Sequence, residues 1–175
     1  KTYLENSTDT FPIEFLDMQE NHIVLWGEDC LKDLRIELVN LRHQCEWELK
    51  SKLIQMQQFY INSGGNNRAP GNILLKNLPS FLVVFRNILR LKNVAVNPVR
   101  NTDSSGRSTI VSNGVTEKSQ ILDKLADEFN LNKDLFGSLW QTRLGNTKIN
   151  NMQEVFEMFL SALMRLSEEV DKLAA

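Results

Sequence analysis

Between Leu38 and Tyr60, apolar side chains return every three or four residues: Leu38, Leu41, Cys45, Leu49, Leu53 (or Lys52), Met56 and Tyr60. That spacing draws one stripe along an α-helix and excludes a strand. It predicts a long helix from about Asp33 to Ser63, ended by Gly64-Gly65-Asn66-Asn67, because glycine and asparagine tolerate the left-handed geometry of a helix exit. Arg42–Glu46 and Glu46–Lys50 stand four apart and add about a few tenths of a kcal/mol each. A stripe this long needs apolar partners. Residues 71–92 offer them: Ile73, Leu74, Leu78, Phe81, Leu82, Phe85, Ile88, Leu89 and Leu91 surround much of a second helix, the pattern of a central one. Pro79 removes a backbone donor, which predicts a kink or a restart capped by Asn77. Three further helices are expected over residues 117–129, 133–142 and 151–173. Asn132 would cap the second, and Asn151 with Glu154 has the capping-box spacing for the third. The expectation is a mainly α fold, a bundle of about five helices with antiparallel neighbours across short connections.

Two segments break this pattern. Phe11 to Asp29, FPIEFLDMQENHIVLWGED, reads as two short strands around a turn. A lone strand pair is marginal in water, so these residues are expected to finish a sheet whose other strands lie elsewhere. The second segment, 93–118, is rich in Ser, Thr, Asn and Gly, lacks aromatic residues, and reads as a flexible insertion longer than compact domains usually carry. It resembles translated repeat elements that interrupt reading frames in some environmental bacterial genomes, which would make it a passenger; a binding loop is the alternative. The division expected is therefore 1–30 as terminal strands of a truncated domain, 31–92 as two long helices, 93–118 as the insertion, and 119–175 as three further helices of the same helical domain.

Composition narrows the function classes. No apolar run reaches the roughly 18 residues of a membrane helix; the closest, Leu78 to Leu91, is interrupted by Arg86, Asn87 and Arg90. No signal peptide is visible, and residue 1 reads as a truncation point. Cys30 and Cys45 have neither CxxC spacing nor a repeat, which argues against a disulfide framework or a zinc site and for a cytoplasmic setting. Cys45, on the apolar stripe, reads as a small buried residue. Residues 1–34 hold eight acids and two bases, residues 35–118 five acids and twelve bases, and residues 119–175 nine acids and six bases. The basic middle suits solvated helix faces better than a phosphate-binding surface, and nothing specific points to nucleic acid. His22 and His43 sit in no motif, His43 reading as a surface residue, and both HExxH and a phosphate loop are absent. No residue is assigned a catalytic role.

Glu14 and Asp17 each stand between apolar neighbours, in Ile13-Glu14-Phe15 and Leu16-Asp17-Met18. On a strand such carboxylates would face a bound cation, as two-metal phosphoryl transfer requires; a solvent-facing acid on an edge strand is the plainer reading. The order FPIEFLDMQENHIVLWGED, LRIELVNLRHQCEWELKSKLIQMQQFYI, PSFLVVFRNILRL, followed by ILDKLADEFNLNKDLFGSLWQTRLG and VFEMFLSALMRLSEEVDKL, resembles bacterial proteins of the nucleotidyltransferase superfamily with an appended helical domain. The family's Gly-Ser pair followed by Asp-x-Asp is missing, since Gly137-Ser138 lies in a predicted helix without such a sequel. Glu14, or secondarily Asp17, matches only the third acid. The resemblance implies a carboxyl-terminal helical accessory domain that positions a substrate or partner beside an upstream nucleotidyltransferase domain and is not catalytic alone. Magnesium and a nucleoside triphosphate would belong to the full-length protein, with no cofactor in this fragment. Arg42, Lys50, Arg86 and Arg90, which flank the apolar stripes of the long helices, are the candidate substrate contacts. The alternative is a protein–protein interaction module that pairs with itself or with another helical protein, as an antitoxin does; an uncovered apolar stripe would mark it. A third reading, an enzyme active as it stands, would place Glu14 and Asp17 in its site.

Overall fold

A computed structural model describes residues 2–64, 69–96, 100–102, 108–110 and 114–173. The chain is mainly helical, with α1 (Thr2–Glu5), α2 (Pro12–Glu20), α3 (Leu38–Asn62), α4 (Ala69–Leu91), β1 (Arg100–Thr102), β2 (Ser108–Ile110), α5 (Gly114–Glu128), α6 (Lys133–Arg143) and α7 (Met152–Asp171). The five expected helices are α3 to α7. Two more precede them, so the count among the described residues is seven.

The opening β segment is not formed. Residues expected as the first strand make α2 instead, with Pro12 in its first turn, where a missing N–H costs nothing. Ile13 and Phe15 are buried and Leu16 packs against the core, so helical spacing satisfies apolar groups that the strand reading had set on two faces. Phe11 at the helix start supplies no side-chain cap. Gln44 of α3 does so from across the interface: its Oε1 accepts from the Ile13 N–H at 2.8 Å. The rest of the expected strand pair, residues 21–29, lies in the connection to α3 and forms no strand. Residues 2–30, expected as terminal strands, hold α1 and α2 and no strand, and α2 packs on α3.

The long helix begins at Leu38, five residues later than expected, and the second at Ala69, two earlier. Gly64, at φ +60°, follows the Ser63 C-cap in the left-handed exit that the glycine run predicted. Within 93–118, β1 and β2 form an antiparallel pair in the register Arg100↔Ile110, Asn101↔Thr109, Thr102↔Ser108, and α5 starts at Gly114. The other part of the insertion, 97–99, 103–107 and 111–113, lies outside the described residues.

α4 is the hub, touching α3, α5, α6 and α7. Leu74, Leu78, Phe81, Phe85, Ile88 and Leu89 are fully buried along it. Phe81 meets Phe159 of α7 edge to face at 5.2 Å, and Phe85 meets Phe136 of α6 in the same way at 6.1 Å. These rings join three helices into one core, with the edge-to-face geometry that aromatic quadrupoles favour. The helix passes through Pro79 without a restart. Asn77 does not cap; its Nδ2 donates to the Ile73 carbonyl at 2.8 Å. The Leu75 carbonyl, which a residue other than proline at 79 would satisfy, accepts instead from the Arg143 guanidinium of α6. A neighbouring helix thus supplies the donor that proline lacks.

The expected caps form. Asn132 Oδ1 accepts from the Leu135 N–H at 3.1 Å, and Asn151 Oδ1 accepts from the Glu154 N–H at 3.3 Å. Cys45 is buried, and burial pushes its thiol up to about 12, which leaves it an inert small apolar group. Tyr60 stacks on Phe156 at 5.4 Å, while at the other end Arg42 reaches Asp171, so α3 and α7 run antiparallel.

Candidate functional site

Glu14 and Asp17 sit one turn apart on the exposed side of α2. Glu14 Oε2 accepts from Gln44 Nε2 at 2.9 Å. Asp17 Oδ1 accepts from Asn21 Nδ2 at 3.3 Å and lies 3.9 Å from the Arg86 guanidinium. Each carboxylate therefore already faces a donor. Among the described residues no group of three or more His, Cys, Asp and Glu side chains gathers to hold a metal ion. The two are surface acids on one helix, each engaged by a donor.

The four basic candidates are also taken. Arg86 of α4 reaches Glu117 of α5 as well as Asp17 of α2. Arg90, one turn along, pairs with Glu20 of α2, and its Nη1 donates to Asn87 Oδ1 at 2.6 Å. Buried Asn87 is in turn fixed by donating to the Val83 carbonyl at 2.9 Å. Arg42 and Lys50 converge on Glu46 within α3, and the Lys50 hydrogen bond holds the Glu46 carboxyl below its ordinary range. Three of the candidates belong to one polar clamp: Arg86 and Arg90 of α4 reach Asp17 and Glu20 of α2. Of the six candidates, Asp17 and Arg86 face each other, while Glu14 faces Gln44 and the other three bases pair with Glu20 and Glu46. A cleft of about 300 Å³ lies between α3 and α4, with Lys52, Gln55, Lys76, Asn77 and Ser80 at its rim; none of the six candidate residues lines it.

The connection from α2 to α3 carries a different arrangement. His22 Nε2 lies 3.0 Å from Asp29 Oδ2, and Nδ1 lies 2.9 Å from the Met18 carbonyl oxygen. Both ring nitrogens face acceptors, and only the doubly protonated ring donates to both. The Asp29 hydrogen bond accordingly raises the His22 pKa above 6.5, and His22 lowers that of Asp29 below 3.8. Asp29 Oδ1 accepts from the Leu31 and Lys32 N–H groups at 3.0 and 3.1 Å, which closes the turn. Gly27, at φ +83°, supplies the left-handed residue that the reversal needs.

The pair ties the base of a loop whose tip is apolar. Ile23, Leu25 and Trp26 are 84%, 93% and 95% exposed, with Val24 half-exposed between them. Large apolar side chains that open to water are unusual when they stand together. A second uncovered set lies on α3, where Trp47, Ile54 and Ile61 point away from the buried face of Leu41, Cys45, Leu49 and Met56. The sequence stripe had identified the buried face alone. The outer one was readable as well, because Trp47, Ile54 and Ile61 recur at intervals of seven. No helix among the described residues is long and apolar enough to cross a membrane. Compared with known proteins, the chain matches no family model, no curated protein and no solved structure.

Proposed function

We propose that this chain is a helical protein–protein interaction module, which joins itself or another protein through apolar surfaces that its own bundle leaves uncovered. The observation that carries the reading is the tied loop with Ile23, Val24, Leu25 and Trp26 at its tip. Burying an exposed side chain of this size is worth about 1.5–3 kcal/mol, and tryptophan is the residue most enriched among interface anchors. The His22–Asp29 pair holds the tip before any partner arrives, which lowers the entropy lost on docking.

The accessory-domain reading, with an upstream nucleotidyltransferase domain as partner, loses the observations that motivated it. Its edge strands are replaced by α2, Glu14 and Asp17 each face a donor, and its substrate bases are paired with Glu20, Glu46 and Glu117. What remains of it is the need for a partner.

Two measurements test the proposal. A photo-crosslinking residue at Leu25, in cells that express the chain, is expected to give a discrete protein adduct that Trp26→Ser abolishes while the melting temperature stays unchanged. No adduct would remove the reading. Titration of ATP with magnesium is expected to leave the melting temperature unmoved; a saturable rise that Glu14→Ala eliminates would restore the nucleotidyltransferase reading in its place.

A further inference from the structure

The cleft of about 300 Å³ between α3 and α4 stays open because side chains on both its walls are engaged elsewhere. Lys52 of α3 is drawn to Glu48, one turn back on the same helix, with Nζ 2.8 Å from Oε2. On α4, Asn77 Nδ2 donates to the Ile73 carbonyl and Ser80 Oγ to the Asn77 carbonyl, both at 2.8 Å. The floor is apolar: Met56 and Phe81 are buried, and Ile73 packs against the core. Lys76 stands exposed at the mouth. Among the described residues no carboxylate lines the cleft, and none forms an ion pair with Lys76.

We propose that this cleft binds a small amphipathic monoanion, an organic carboxylate with an unbranched apolar tail of medium length. The charge follows from the two lysines. Lys52 is balanced by Glu48, so Lys76 is the cation of the cleft that lacks an anion among the described residues, and a single negative charge matches it. A dianion such as a phosphate monoester would keep an unbalanced charge beside an apolar floor, and desolvating that charge is costly. Ser80 spends its hydroxyl proton on the α4 backbone, which leaves the Lys76 ammonium as the strongest donor that α4 offers at the rim. The tail follows from the floor. Met56, Ile73 and Phe81 offer it apolar contact, and the flexible Met56 thioether adapts to an alkyl chain. An apolar wall with a few convergent polar groups is the usual build of a small-molecule site, at volumes from about 300 Å³ upward. The wall from Ile73 to Ser80 runs about 10 Å along α4 at 1.5 Å per residue, which limits the length of the tail. The site is separate from the loop tip and goes beyond the interaction-module reading without resting on it.

The probe is octanoate, titrated into the whole chain at neutral pH while backbone amide shifts are followed by NMR. The amides of residues 52–56 and 73–81 should move together and saturate, with a dissociation constant below about 1 mM. Octanol, which carries the same tail without the charge, and acetate, which carries the charge without the tail, should each bind more weakly. Lys76→Met keeps the length of the side chain and removes its charge. It should weaken octanoate at least about threefold and erase the preference for octanoate over octanol, with an unchanged helical circular dichroism signal; Lys76→Arg should restore both. Ser80→Phe, which fills the cleft from its exposed rim, should abolish binding of either probe. Absence of saturable shifts up to about 10 mM octanoate would overturn the proposal. So would equal binding of octanol and octanoate, or shifts centred on residues 23–26 in place of the cleft. The Leu25 adduct is formed on another surface, so its outcome and this one are read independently.

Discussion

α4 and α2 are both helices of one chain, yet they are held by different physics. Six large side chains of α4 are fully buried, and its rings interlock with those of α6 and α7. α2 buries Pro12, Ile13 and Phe15 on one side and is otherwise fastened by Gln44, Arg86 and Arg90. Burial is non-directional and is not screened by salt, whereas partly exposed ion pairs weaken with ionic strength and shift with pH. The difference predicts a bundle that unfolds as a unit and an amino-terminal arm that opens first.

The largest test lies in the core. Phe85→Ala removes a buried ring that touches both Phe81 and Phe136. It should cost about 3–5 kcal/mol in urea unfolding; a loss below about 1 kcal/mol would mean that α4 is not the hub. Gln44→Ala is expected to be smaller, about 1 kcal/mol, because it strips one acceptor from the start of α2. Hydrogen exchange should show the amides of α2 losing protection while those of α4 keep theirs. Equal losses in both helices would erase the distinction between arm and bundle.

The smallest effect is the pH response of the tied loop. The folded state raises the His22 pKa, so the stability contributed by the tie is complete below 6.5 and fades as the pH climbs through the raised value. Asp29 moves the other way: its contribution is present above 3.8 and lost as the pH falls through the lowered value. Proteolytic cleavage within residues 23–28 should therefore stay slow between pH 3.8 and 6.5 and accelerate as the pH climbs through the raised His22 value, and His22→Gln should flatten that rise. A wild-type profile without this rise would mean that the loop is held by something other than His22.

The bundle was legible because long periodic stripes have few alternatives. Leu41, Cys45, Leu49 and Met56 can share a face only on a helix, and Asn132 and Asn151 announced the starts of α6 and α7 through local chemistry. The amino-terminal segment was misread because its signals are short and two-sided. Ile13, Phe15 and Leu16 suit a strand as readily as a helix, and the group that caps the helix, Gln44, lies 31 residues away in the chain. The Pro79 outcome has the same cause, since the donor to Leu75 comes from Arg143, 68 residues away. The pairs of Arg42 and Lys50 with Glu46 were readable within α3, whereas Arg86 and Arg90 find Glu117 and Glu20 on other helices.

By itself, then, the sequence determined a mainly helical chain, its two long helices, its central α4 and the caps of its last two helices. These rest on periodicity and on contacts within a turn or two, which neighbouring residues specify. Tertiary structure alone decided that α2 is a helix, that Asp17 and Glu20 neutralise Arg86 and Arg90, and that Trp26, Trp47, Ile54 and Ile61 stay in water. Pairing of charges and covering of apolar faces depend on which helices become neighbours, a relation set by the packing of the whole core.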